Sequence, residues 1–187
     1  MRFPTLTLLA VWCAVASAGT ETRLDPETGV ATWQTETGGI QVRLTQIGPN
    51  QARAFYQARG FPPEATERYA TECVFMTVVR NIGDTPIEHR LADWRYSVVG
   101  QPDRVIRSKA EWEALWKRIG VSEAARIAFT WAQFPDAQTF APGDWNQGMT
   151  SYSVPRGGRF DLHFVWQAGG RPFSGSLEQL RCADENA

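Results

Sequence analysis

Histidine, methionine and cysteine are the side chains of this sequence with the strongest potential for metal chemistry. Only two histidines are present, His89 and His163, and Met149 adds a thioether of the kind that copper accepts. A structural zinc site would need Cys73 and Cys182 as thiolates, which an oxidising compartment disfavours. The sequence therefore predicts no resident cofactor, and a copper site at His89, Met149 and His163, as in a periplasmic copper-handling protein, stays open as an alternative.

A second set of residues has the types used in nucleophilic catalysis. Asp161 and His163 lie two positions apart, on one face of a strand, and Ser174 or Ser176 would have to supply the nucleophile. No G-x-S-x-G motif accompanies them. We interpret the pair as part of a solvated strand face, so that a non-catalytic protein is favoured and a hydrolase is the less favoured alternative.

Trp145 is the tryptophan whose surroundings favour recognition over packing. It stands between Asp144 and Asn146 in a segment punctuated by Gly143 and Gly148, where no sheet face obviously buries it. Loops carry function on a rigid scaffold, and an exposed tryptophan is a common anchor for a protein partner. We predict that Asp144, Trp145 and Asn146 bind another exported protein, while the alternative that the loop folds Trp145 onto the sheet edge stays open.

The first eighteen residues have the pattern of a secretory signal peptide. Arg2 supplies a positive charge, residues 6–15 supply a short apolar run, and residues 16–18 (Ala-Ser-Ala) form a cleavage site of small residues. The apolar run is too short to span a bilayer, so we expect no stable membrane insertion after cleavage. The predicted location is periplasmic or secreted.

Length and charge bound the remaining possibilities. The 187 residues are enough for one domain with a substantial core, and the net charge is -1 with no basic run, which disfavours nucleic acid as a partner. The predicted organisation is a cleaved segment 1–18, a flexible segment 19–30, a single domain 31–182 and a loose tail 183–187.

The cysteines that remain after cleavage predict one disulfide. Only Cys73 and Cys182 are left, so the pairing has a single possibility in an oxidising compartment. Two separate buried thiols are the alternative. The bond would tie the final strand to the middle of the fold.

Alternating apolar residues predict most of the strands. Ile40, Val42 and Leu44 alternate with polar residues after the Gly38-Gly39 pair, which indicates a hairpin over 31–47. Further strands are predicted at residues 73–81, 87–91, 94–99, 127–134, 160–166 and 173–182. Residues 139–153 are predicted to form a loop that enters a strand.

Two segments with helical spacing interrupt the strands. Residues 50–71 are predicted to form one or two short helices, and residues 108–120 a helix that begins with a capping box at Ser108 and Glu111. Trp112, Leu115 and Trp116 form its apolar stripe, which should cover a sheet.

The segment 73–99 resembles exported immunoglobulin-like domains. It contains a buried strand that ends in an Asn-x-Gly-Asp-Thr-Pro turn and resumes with an apolar residue, Ile87. The resemblance concerns architecture and carries over no functional residues. With the helices at 50–71 and 108–120, it implies a mainly β fold, an immunoglobulin-like antiparallel β-sandwich with inserted short helices.

Overall fold

Two antiparallel sheets and four short helices form the described part of the chain, residues 19–185 of a computed structural model. The predicted signal peptide, residues 1–18, lies outside the described residues. The fold is mainly β, as the alternation of apolar residues predicts.

The first sheet has five strands in the order β1-β2-β3-β4-β9. These strands are β1 (Glu21–Leu24), β2 (Ala31–Thr37), β3 (Ile40–Ile47), β4 (Cys73–Asn81) and β9 (Trp145–Tyr152). The hairpin between β2 and β3 is confirmed, and both Gly38 and Gly39 have the positive φ angles, 52° and 84°, that its tight turn requires. Strand β4 is central, with β3 on one side and β9 on the other.

The second sheet is built around the long strand β10 (Arg159–Ala168). Its other strands are β5 (Ile87–Arg90), β6 (Arg95–Ser97), β7 (Arg104–Val105), β8 (Ala137–Phe140) and β11 (Arg171–Arg181). Strand β11 pairs with one edge of β10. On the other edge, β6 pairs with the first half of β10 and β5 with the second half. Strand β7 then pairs with β6, and β8 pairs with β5.

The two sheets share an apolar core, called here the intersheet core. All strands except β1 and β7 contribute inward-facing side chains, and Phe75 of β4 lies with its ring centroid 5.9 Å from that of Phe160 of β10. Cys73 at the start of β4 and Cys182 just after β11 form the predicted disulfide across this core, with their Cα atoms 5.2 Å apart. The disulfide thus joins a central strand of one sheet to an edge strand of the other.

Helices cover the outer face of the first sheet. They are α1 (Pro49–Gln57), α2 (Pro63–Ala70), α3 (Lys109–Arg118) and α4 (Glu123–Ala132). The helices predicted within 50–71 and 108–120 are confirmed, and the capping box of α3 forms because Ser108 Oγ accepts a hydrogen bond from the amide of Glu111. A short 3-10 helix, Leu91–Asp93, separates β5 from β6.

The predicted strand at residues 127–134 is wrong, because these residues belong to α4 and the segment that follows it. Ser122 caps the helix by accepting a hydrogen bond from the amide of Ala125. Phe129 is buried and Trp131 is 85% exposed, so two residues that a strand would place on one face lie on opposite sides of a helix.

A second apolar cluster, the helix–sheet core, lies between the helices and the first sheet. Its buried members are Tyr56, Phe61, Ala65, Tyr69, Val74, Trp112, Trp116, Val121, Ala125, Phe129 and Met149. A chain of hydrogen bonds runs through it: the Tyr69 hydroxyl donates to Gln133 Oε1, Gln133 Nε2 donates to the Tyr56 hydroxyl, and that hydroxyl donates to Met149 Sδ. Burial raises the pKa of Tyr56 and of Tyr69, so both hydroxyls keep their protons.

Both terminal segments of the described chain contact the rest of the domain. Within the segment 19–30, predicted to be flexible, residues 21–24 form β1 and pair with β2. Within the predicted loose tail, Glu185 forms ion pairs with Arg53 and Arg156. Among residues 19–185, no helix has both the length and the hydropathy that crossing a bilayer requires.

Candidate functional site

The three residues of the predicted copper site point into three different regions of the protein. His89 points into the intersheet core, because its partner in the β5–β10 ladder is the inward-facing Trp166. His163 lies three residues earlier on β10 and is exposed on the outer face of the second sheet. Met149 points to the opposite side of the first sheet, into the helix–sheet core. The structure therefore does not bring these three side chains together.

His89 is buried without a polar partner. Its ring centroid lies 5.1 Å from that of Phe134, 5.7 Å from that of Phe140 and 5.8 Å from that of Trp94. Neither ring nitrogen has a hydrogen-bond partner among the described residues, and burial lowers the pKa of His89 to about 4. The imidazole is neutral at physiological pH, and its surroundings are aromatic rings. Within residues 19–185, no group of three or more His, Cys, Asp or Glu side chains is placed to hold a metal ion.

The Asp161–His163 pair does not assemble a catalytic triad. The Asp161 carboxylate accepts a hydrogen bond from the amide of Gln179, at 2.7 Å, rather than from the imidazole of His163. Ser97, which the sequence does not single out, has its Oγ 3.4 Å from His163 Nε2, while Ser176 lies opposite His163 in the β10–β11 ladder. In a triad the carboxylate orients the imidazole, and the Asp161 carboxylate does not do so here.

Trp145 is the first residue of β9 and remains exposed. Its side chain is 57% accessible, and it lies opposite Arg80 in the β4–β9 ladder. By strand alternation it points to the same side of the first sheet as Met149 and Ser151, beyond the part that the helices cover. The sequence places Trp145 in a loop, whereas the structure places it at the end of a strand.

Asp144 and Asn146 hold the backbone around Trp145. Asp144 Oδ2 accepts a hydrogen bond from the amide of Ala141, and its backbone carbonyl accepts one from the amide of Asn81. Asn146 Nδ2 donates to Gln138 Oε1 at 2.6 Å. Both side chains that the sequence assigns to a partner thus make hydrogen bonds within the protein, Asp144 in the turn that precedes Trp145 and Asn146 in strand β9, which begins at Trp145.

Two arginines from neighbouring strands extend the surface around Trp145. Arg80 lies beside it on β4, and Arg43 lies on β3 opposite Val78, which in turn pairs with Gln147 of β9. Both arginines are exposed. We call Trp145, Gln147, Arg80 and Arg43 the Trp145 surface. Sequence reasoning misses the arginines, because only the pairing of β3, β4 and β9 brings them next to Trp145.

A second exposed tryptophan borders a groove between α3 and α4. The groove encloses about 340 Å³ and is lined by Glu113, Glu123, Arg126, Ile127, Thr130 and Trp131. Arg126 Nε lies 3.1 Å from Glu113 Oε1. This groove is called the α3–α4 groove, and sequence reasoning misses it because the strand predicted for residues 127–134 hides the helical spacing of Ile127 and Trp131.

Comparison with known proteins adds no relative: no protein-family model matches the chain, and neither the curated proteins nor the solved structures contain a significant match. The arrangement of the described side chains therefore carries the functional argument.

Proposed function

We propose that this protein is an exported, non-catalytic accessory or binding module that acts by protein–protein interaction through the Trp145 surface. The observation that carries this proposal is the exposed indole of Trp145 at the start of β9, between Asp144 and Asn146, whose side chains make hydrogen bonds within the protein. The proposed partner is another exported protein. The module needs no metal or other cofactor for this role.

The composition of the Trp145 surface supports a protein partner. Tryptophan and arginine are the residue types most enriched among the side chains that dominate binding energy. A backbone segment held in place before binding loses less conformational entropy, so more of the contact energy contributes to affinity. Because Arg43 and Arg80 are both positive, the favoured partner presents an acidic surface with an apolar pocket for the indole.

The disulfide supports export. A bond between Cys73 and Cys182 persists in an oxidising compartment and is rare in cytosol. We propose a periplasmic or secreted location after removal of residues 1–18. The two antiparallel sheets joined by this disulfide also support an immunoglobulin-like β-sandwich, which we propose as the fold class.

Photocrosslinking at position 145 tests the proposed function. We expect Trp145→p-benzoylphenylalanine, expressed in exporting cells, to give a discrete adduct with one other exported protein, identified by mass spectrometry. The same photoreactive residue at Val99, which is 94% exposed and follows β6 of the second sheet, serves as the matched control and should give no such adduct.

The affinity for the crosslinked partner then measures the contribution of the indole. Trp145→Ala should weaken binding about 30-fold, corresponding to roughly 2 kcal/mol, and should leave the melting temperature nearly unchanged because the side chain is exposed. Calorimetry measures the first effect and thermal unfolding the second. Equal binding by Trp145→Ala and the wild type, or equal crosslinking from positions 145 and 99, would exclude the Trp145 surface as the binding site.

A further inference from the structure

The α3–α4 groove presents an apolar end and an acidic end on one face of α4. Glu123, Ile127 and Trp131 follow one another at four-residue spacing, so they form a line along the helix. Ile127 is 52% exposed and Trp131 is 85% exposed. At a rise of 1.5 Å per residue, Glu123 and Trp131 are separated by about 12 Å along the helix axis.

The charge of the groove is negative. Arg126 is engaged by Glu113 Oε1, while Glu113 Oε2 has no hydrogen-bond partner among residues 19–185. Glu123 adds a second carboxylate at the start of α4. Because Glu113 is paired with Arg126, Glu123 leaves the lining of the groove with one net negative charge. An exposed tryptophan, an exposed isoleucine and the Glu123 carboxylate fit an occupant that presents an apolar ring together with a cationic side chain.

The Trp145 surface has the complementary properties at the same spacing. Arg43 lies two strands away from Trp145 and two residues along the ladder. With about 4.8 Å between strands and about 3.3 Å per residue, the two positions are separated by about 12 Å. An indole and a guanidinium on one surface therefore match an apolar end and a carboxylate on the other, in both spacing and charge.

We propose that the α3–α4 groove binds the Trp145 surface of a second copy of this chain. Trp145 of one copy covers Trp131 and Ile127 of the next, and Arg43 pairs with Glu123. Because the two surfaces are different regions of the molecule, the contact is head to tail and leaves a free groove at one end and a free Trp145 surface at the other. This inference rests on the proposed function in one respect, which is that the Trp145 surface is a binding surface.

Self-association of this kind would regulate the proposed function. A copy whose Trp145 surface lies in a neighbour's groove cannot bind another protein through that surface. A partner protein would therefore compete with the groove, and the fraction of free Trp145 surface would fall as the protein concentration rises.

Sedimentation velocity over a wide range of protein concentration tests the proposal. We expect the wild type to form dimers and longer species at high concentration, and we expect salt to weaken them because charge pairs contribute. Trp131→Ser and Trp145→Ser should each raise the apparent Kd about tenfold or more. Val99→Ser, which changes an exposed apolar residue outside both surfaces, should behave as the wild type.

Mixing the two tryptophan variants identifies the head-to-tail geometry. Trp131→Ser retains an intact Trp145 surface and Trp145→Ser retains an intact groove, so the mixture can form one native contact and should stop at a 1:1 dimer. If Trp131→Ser alone self-associates as the wild type does, the contact does not involve the groove and the proposal is wrong.

Charge reversal tests the pairing of Arg43 with Glu123. Arg43→Glu and Glu123→Arg should each be monomeric, whereas their equimolar mixture and the double variant should both regain self-association. Both positions are exposed, and matching thermal unfolding curves confirm that each variant is folded.

The possible outcomes separate this inference from the proposed function. A wild type that stays monomeric up to its solubility limit overturns the inference, and crosslinking from position 145 to another protein would still support the proposed function. Adducts from position 145 that contain only a second copy would support the inference and contradict a partner of different sequence. A photoreactive residue at position 131 that captures only a different protein would assign the groove to that protein and overturn the inference.

Discussion

The two apolar cores treat their buried polar groups differently. In the intersheet core, the imidazole of His89 is buried among aromatic rings without a hydrogen bond. In the helix–sheet core, the buried hydroxyl of Tyr56 accepts one hydrogen bond and donates another. A buried polar group without a partner costs free energy that a paired group recovers. The hydrogen bonds of Tyr56, Tyr69 and Gln133 thus favour one arrangement of the helix–sheet core, while the intersheet core carries a group that opposes folding once it becomes charged.

The largest expected effect comes from breaking the apolar part of the helix–sheet core. Trp116 is completely buried and stacks on Trp112, with ring centroids 4.9 Å apart. Trp116→Ala should lower the free energy of unfolding by about 3–5 kcal/mol, because it leaves a large cavity. Denaturant unfolding measures this loss.

Trp131→Ala is the matched control on the next helix. Its side chain is exposed, so the same chemical change should cost less than about 0.5 kcal/mol. A loss below about 1 kcal/mol for Trp116→Ala would contradict the burial of its ring and would make the stripe on α3 a candidate binding surface.

Acid should weaken the intersheet core through His89. Its pKa is about 4 in the folded protein and about 6.5 in the unfolded chain, so the unfolded chain binds the proton first as the pH falls. The free energy of unfolding should therefore decrease between about pH 6.5 and pH 4, by roughly 3 kcal/mol in total, and this contribution should level off below pH 4. Denaturant unfolding at a series of pH values measures the slope.

Two histidine variants separate this effect from the titration of carboxylates. His89→Leu removes the buried imidazole and should flatten the curve between pH 6.5 and 4 relative to the wild type. His163→Gln changes the exposed histidine and should leave the wild-type slope. Equal slopes for the wild type and His89→Leu would show that His89 does not carry the acid sensitivity.

A smaller effect is expected from the hydrogen-bond chain of the helix–sheet core. Tyr56→Phe removes the hydroxyl and leaves Gln133 Nε2 without its acceptor, so the free energy of unfolding should fall by about 1–2 kcal/mol. If that unpaired amide is the cause, Gln133→Leu should cost less in the Tyr56→Phe background than in the wild type. Strict additivity of the two substitutions would show that the bond contributes little.

Local sequence patterns predict much of the secondary structure, but they predict few of the side chains that meet at the candidate binding surfaces. Alternation at Ile40, Val42 and Leu44 and the capping box at Ser108 depend on neighbours in sequence, so the elements they predict are confirmed. The segment around Phe129 and Trp131 satisfies both a strand and a helix period, and only packing against α3 and the first sheet decides between them.

Long-range pairing accounts for what the sequence does not reveal about the candidate sites. Arg43 and Arg80 come next to Trp145 through the register of three strands, which no local pattern specifies. His89 and His163 look equivalent as potential ligands, yet strand alternation on β5 and β10 sends one inward and the other to the surface. The exposure of Trp145 follows the sequence prediction, while the hydrogen bonds that Asp144 and Asn146 make within the protein depend on residues that no local pattern specifies.

The disulfide also has a mechanical consequence. Tension applied beyond Cys182 would meet β11 first, an edge strand that could peel from β10 one hydrogen bond at a time. The disulfide between Cys182 and Cys73 instead transmits the force to β4, which lies between β3 and β9. Strand β4 can move along its axis only if its hydrogen bonds to β3 and to β9 break together. Under reducing conditions the same force would separate β11 from β10 first. Oxidation therefore raises the mechanical resistance of the C-terminal strand.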